Sequence, residues 1–173
     1  MGSRSAAFKP IKLTYFDMAG AAEKLRLALV LSDTRFEDER VPFSKWAELK
    51  PTIPYGQLPV MTIADGPTIV QSDAILRYIG RQEGAEFLYP PDKMLDIDQL
   101  IGMIGDLQRA WMPALHLANR PGRFGHPENF GKTDEGRATI KAMRETFSPR
   151  RASQVPRLFR NVACRTRWYV SLW

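Results

Sequence analysis

The segment Tyr55-Gly-Gln-Leu-Pro-Val-Met-Thr-Ile, with Gln71-Ser-Asp-Ala-Ile-Leu-Arg-Tyr78 close behind it, constrains this chain more than any other. It predicts a strand, a tight hairpin at Ala64-Asp65-Gly66, a second strand and a helix opening at Ser72. Pro59 stands where the strand begins, a place where a sheet tolerates a residue with no N–H. Leu58 before it is driven towards extended backbone, so its own N–H and C=O can face outward. Gln71 and Ser72 add a side-chain amide, a hydroxyl and the unpaired N–H groups of a helix start, a receiver for a small carboxylate. The whole reads as a docking strip for an extended, peptide-like anion.

The preceding residues supply the rest of an α/β domain. Ile11–Phe16 alternates as a half-buried strand. Residues 21–31 carry Leu25, Ala28 and Leu29 on one stripe and predict an amphipathic helix. Phe36–Val41 is a second strand, and Ser44–Lys50 a short irregular helix ended by Pro51 and Pro54. Strand, helix, strand, helix, hairpin and helix is the order of a thioredoxin-like domain, whose opening strands must run parallel.

With Leu13-Thr-Tyr-Phe16 and the run from Pro59 to Tyr78 in place, the chain resembles the cytosolic glutathione transferases, and among them the tyrosine-using sigma, pi and alpha-like kind. The resemblance implies a thioredoxin-like glutathione-binding domain at 10–83, after an extension at 1–9. A linker at 84–91 and an all-α domain at 92–147 follow. It implies conjugation of the glutathione thiolate to small hydrophobic electrophiles, with glutathione as co-substrate and no metal. A homodimer, a cytoplasmic address and a part in detoxification come with it.

The site residues transfer one by one under the same resemblance. Tyr15 takes the place of the tyrosine whose hydroxyl hydrogen-bonds the glutathione sulfur, favouring thiolate, the nucleophilic form. Trp46 and Lys50 match contacts to the glycine end. Gln57 and the Leu58 backbone, with Pro59 in the same strip, match the cysteinyl contacts, and Gln71 and Ser72 the γ-glutamyl contacts. Tyr55 matches an aromatic that anchors the partner subunit. By residue type alone, Tyr15 and Trp46 read as core aromatics, Lys50 as a solvated charge, Ser72 as an N-cap and Tyr55 as a turn residue. Two departures weaken the expected binding: the family's arginine after the tyrosine is Ala21, and the aspartate donated to the neighbouring subunit falls near Gly102.

Other chemistries find little support. The single cysteine, Cys164, lies far from the turn Asp17–Gly20 where a thiol–disulfide oxidoreductase would need one. His116 and His126 have no carboxylate or thiol at ligand spacing and read as surface or loop residues. No run suits a transmembrane helix, and Met1–Ala6 matches neither a signal peptide nor a myristoylation site.

Past Leu88-Tyr-Pro-Pro-Asp92 the character changes. A long helix is predicted from about Asp92 to Leu117, with Ile97, Leu100, Ile104, Leu107 and Trp111 as a buried stripe. A second helix follows at 133–147, with Thr133 as its cap. Residues 148–173 then hold six arginines and no Lys, Asp or Glu, which accounts for the whole formal charge of +6. Read one nucleotide later, Arg150–Arg160 can encode Glu-Glu-Leu-Pro-Lys-Phe-Leu-Gly-Phe-Phe-Glu, a string like the family's next helix. The tail is therefore read as non-native and the all-α domain as incomplete. Nucleic-acid binding through the arginines is the lesser reading, since charge without a motif is a weak signal. Incompleteness sets up the alternative of a catalytically weak or inactive binding and assembly module.

Overall fold

The computed structural model describes residues 10–151, and side chains as far as residue 146. The extension at 1–9 and the tail of 148–173 from residue 152 onward, with the readings placed on them, lie outside the described residues, while residues 148–151 continue the helix predicted to end at 147. The chain divides into two compact units between Met94 and Leu95.

The first unit is built on a four-stranded mixed sheet in the order β2-β1-β3-β4. Strand β1 (Ile11–Phe16) runs parallel to β2 (Phe36–Val41) and antiparallel to β3 (Val60–Ile63), which turns back into β4 (Thr68–Val70). Helix α1 (Glu23–Leu31) joins β1 to β2. A broken stretch of helical turns from Phe43, with α2 (Trp46–Leu49) inside it, leads on to β3. Helix α3 (Ser72–Ile79) follows β4.

Register explains the core. Leu13 pairs with Met61 and Ile11 with Ile63, so these residues and Tyr15 share one sheet face. Leu25 and Leu29 of α1 and Ile75 and Ile79 of α3 pack on that face. Each such fully buried side chain contributes about 1.5–3 kcal/mol. The opposite face is polar near the centre, where Thr14 Oγ1 donates to Glu39 at 2.6 Å and Lys12 lies beside the same carboxylate. Between α1 and α3 the Lys24 ammonium pairs with Asp73.

The second unit is helical. Helix α4 (Met94–Asn119) follows a single turn at Pro91–Lys93, so it begins two residues later than Asp92. Helix α5 (Asp134–Arg151) is capped as expected: Thr133 Oγ1 accepts the Gly136 N–H at 3.0 Å. The predicted buried stripe of α4 needs correction. Ile97, Leu100, Leu107 and Trp111 are half-buried and Ile104 is 42% exposed, while full burial in this helix falls on Ala114 and Leu117. The cause is local packing: Phe130 and Ile140, with Ala118 and Met143, gather around Leu117 at the C-terminal end. Among the described residues no helix is long and apolar enough to cross a membrane, and no three His, Cys, Asp or Glu side chains converge on a metal-sized site.

Candidate functional site

Antiparallel pairing of β1 with β3 ends at Thr14 opposite Val60. The next two residues of β1, Tyr15 and Phe16, stay paired with Arg40 and Val41 of β2. On their other side the chain is Leu58-Pro59, joined by a cis peptide, and Pro59 has no N–H to continue the ladder. Sheet bonding therefore stops where the predicted docking strip begins.

Tyr15 is 8% exposed, and its ring belongs to the core cluster. Its hydroxyl oxygen accepts the Ala21 N–H at 3.1 Å, from the turn that starts the first helix. That bond occupies the oxygen as an acceptor and leaves the hydroxyl's own proton for another partner. Gly20, at φ +46°, lets the turn pass directly against the phenol.

From Tyr15 a row of aromatics runs outward. Phe16 meets the Tyr15 ring edge-on at 5.5 Å, stacks on Phe43 at 4.5 Å and meets Trp46 edge-on at 5.2 Å. Trp46 is half-buried at the start of α2 and Lys50 is exposed just beyond it. The Lys50 stem lies over Gly56, where a Cβ would come within 3.2 Å of its Cε. Tyr55, just before Gly56 in the chain, is 84% exposed at φ 58°.

The other predicted residues meet across the hairpin. Gln71 Nε2 donates to Gln57 Oε1 at 3.4 Å, so two exposed side chains from separate segments already face each other. Leu58 packs on the core cluster and Pro59 is buried. Ser72 is not the N-cap expected from its type. It is the first residue of α3, and Gln71 takes the cap position at φ 71° and ψ 111°. The chain leaves β4 at Val70 and must reverse at once to enter the helix, which puts Gln71 rather than Ser72 at the bend.

Sequence reasoning passed over one buried charge. Arg26 is 6% exposed and bonds Asp38 of β2 through Nε, at 3.0 and 3.2 Å. Arg40 bridges the same carboxylate to Asp17, and these bonds, Asp17 first, push its guanidinium pKa up. The signal was present: Arg26 stands on the stripe of Ala22, Leu25 and Leu29, where an apolar residue was due.

The family model for the glutathione S-transferase N-terminal domain matches residues 11–81, from β1 through α3. The solved structure of prostaglandin synthase D of Nilaparvata lugens is similar at 30% identity and a TM-score of 0.68, covering 90% of this chain and 69% of that one. The chain belongs to the glutathione S-transferase family. A Nu-class glutathione S-transferase from Haemonchus contortus is similar at 34% identity and a TM-score of 0.54, over 61% of this chain and 50% of that one. The class-mu 28 kDa glutathione S-transferase isozyme of Schistosoma japonicum is 37% identical over 109 residues, 61% of this chain and 52% of the relative. The chain spans about half the length of the curated relatives it matches. Its first unit is thus a thioredoxin-like glutathione S-transferase domain, followed by a helical region.

Proposed function

We propose that the chain is a glutathione transferase whose first unit binds glutathione and whose Tyr15 hydroxyl donates to the glutathione sulfur. The observation that carries this reading is the Tyr15 hydroxyl itself, buried at the end of β1 and held by Ala21 with its own proton to spare. A thiol placed there loses its proton to solvent more readily, because a hydrogen bond to the charged form favours it. The thiolate then forms a C–S bond to an electrophilic carbon, and either that carbon's leaving group departs with its bonding pair or the displaced pair of a double bond or epoxide C–O bond takes up a proton at the neighbouring atom.

The rest of the peptide would run along the strip. Trp46 and Lys50 would receive the glycine end, Gln57, Leu58 and Pro59 the cysteinyl part, and Gln71 and Ser72 the γ-glutamyl carboxylate. The Gln57–Gln71 contact supports this, since it brings the cysteinyl and γ-glutamyl receivers to one place. The second substrate would be a small hydrophobic electrophile. Tyr55, so exposed on unit one, would serve as the anchor of a homodimer, and a cytoplasmic role in detoxification completes the reading.

A second reading comes from the extent of the match. Similarity to the curated relatives spans about half of their length, and a chain that keeps the glutathione half without a complete electrophile pocket would be a binding or assembly module. Calorimetric titration with glutathione, beside an assay with a chromogenic halonitrobenzene, separates the two. Binding with turnover supports the transferase, and binding without turnover supports the module. No binding at all removes both.

A further inference from the structure

We propose that Arg26 is a positioning residue that sets the Tyr15 hydroxyl by clamping the turn at Met18–Ala21. Its catalytic consequence rests on the role given to Tyr15 above; its structural content does not.

The clamp has three arms. Arg26 Nε holds both Asp38 oxygens on β2. Nη1 donates to the carbonyls of Met18 at 2.9 Å and Ala19 at 3.4 Å, and to Glu23 Oε2 at 3.1 Å on its own helix. Met18 and Ala19 are the residues just before Gly20 and Ala21, which touch the Tyr15 phenol. The near end of the same turn is tied separately, by the Asp17 N–H to Val41 O at 3.3 Å and by Arg40 to the Asp17 carboxylate.

Stability alone is a poor account of this arrangement. A buried guanidinium must be compensated by good partners, and an apolar residue of like volume often serves the fold as well. Here Nη2 meets no protein acceptor. What the guanidinium does supply is direction, because its planar fork fixes two carbonyls and two carboxylates at once. The Ala21 N–H is 3.1 Å from the phenolic oxygen, so a displacement of the turn by an ångström breaks that bond.

Amide hydrogen exchange on the whole chain tests this without any ligand. Arg26→Lys keeps a positive charge near Asp38 but loses the fork, and Arg26→Met loses both. Both variants should expose the Ala21 amide, with exchange about tenfold faster, while β1–β3 amides keep their protection. Unchanged Ala21 exchange in Arg26→Lys overturns the proposal. So does loss of protection by one common factor across the sheet, which would make Arg26 a stabiliser only. The ultraviolet absorbance of bound glutathione thiolate, followed against pH, adds the chemical readout. Its midpoint should rise in both variants with glutathione affinity changed far less. If Ala21 exchange responds as expected but the unsubstituted chain forms no bound thiolate, the reading of Tyr15 fails and the positioning by Arg26 stands.

Discussion

Gly20 and Tyr15 are in such close contact that a Cβ on the glycine would stand 2.6 Å from the phenolic oxygen and 2.9 Å from a ring carbon. The same glycine sits at φ +46°, where a side chain is strained whatever the space. Gly20→Ala should therefore cost about 1–3 kcal/mol in left-handed strain and also push the hydroxyl out of place. The expected result is a lower urea midpoint together with loss of bound glutathione thiolate. A variant matching the parent in both would show that the turn does not set the phenol.

Removal of the hydroxyl alone is the cleaner probe of chemistry. Tyr15→Phe keeps the ring in the core and deletes the acceptor of the Ala21 N–H together with the proposed hydrogen bond to the charged sulfur, the latter worth about 1.5–3 kcal/mol. Turnover should fall roughly 10- to 100-fold while glutathione affinity changes little. Steady-state kinetics beside calorimetry decide it. Equal losses in both, or none in turnover, would remove the thiolate role.

The first unit was legible because its signals are local. Alternation marked β1, the strand reading of Phe36–Val41 matched β2 at both ends, and Pro59 and the Ala64–Gly66 turn marked the hairpin. Single residues at special angles were not legible. Gln71 at φ 71° and Tyr55 at φ 58° follow from how the chain must turn between packed elements, which no propensity records. The stripe on α4 misled for a related reason: periodicity names the apolar face but not what covers it, and coverage here centres on Leu117. Arg26 was hidden by its type, since a charge on a helix reads as solvated until Asp38 is found opposite it.

Gly136 sets helix propensity against packing. Alanine in place of glycine inside a helix ordinarily gains about 1 kcal/mol. In α5, however, a Cβ at residue 136 would fall far inside contact distance of the Phe130 carbonyl, a backbone atom that cannot swing aside. The Gly136 N–H is also the group that Thr133 Oγ1 caps. Gly136→Ala should thus destabilise the second unit, against propensity, and Thr133→Ala should cost about 0.5–2 kcal/mol by loss of the cap. Exchange rates of the α5 amides report both, and a stabilised Gly136→Ala would refute the close approach.

His116 gives the second unit a pH dependence of definite sign. Burial lowers its pKa first, and the charges of Arg123 and Arg120 lower it further. Arg123 Nη1 lies 3.5 Å from His116 Nδ1, a contact that suits a ring nitrogen free to accept. With the folded pKa below the unfolded value of about 6.5, the unfolded chain takes up the proton first as pH falls. Stability on this account is full above about pH 6.5 and declines below it, so urea midpoints should drop between about pH 8 and about pH 5.5. His116→Gln should remove that part of the decline, and Arg123→Gln should raise the histidine midpoint seen by NMR. A midpoint at or above about 6.5 in the parent chain would show that neither burial nor the arginines govern this ring.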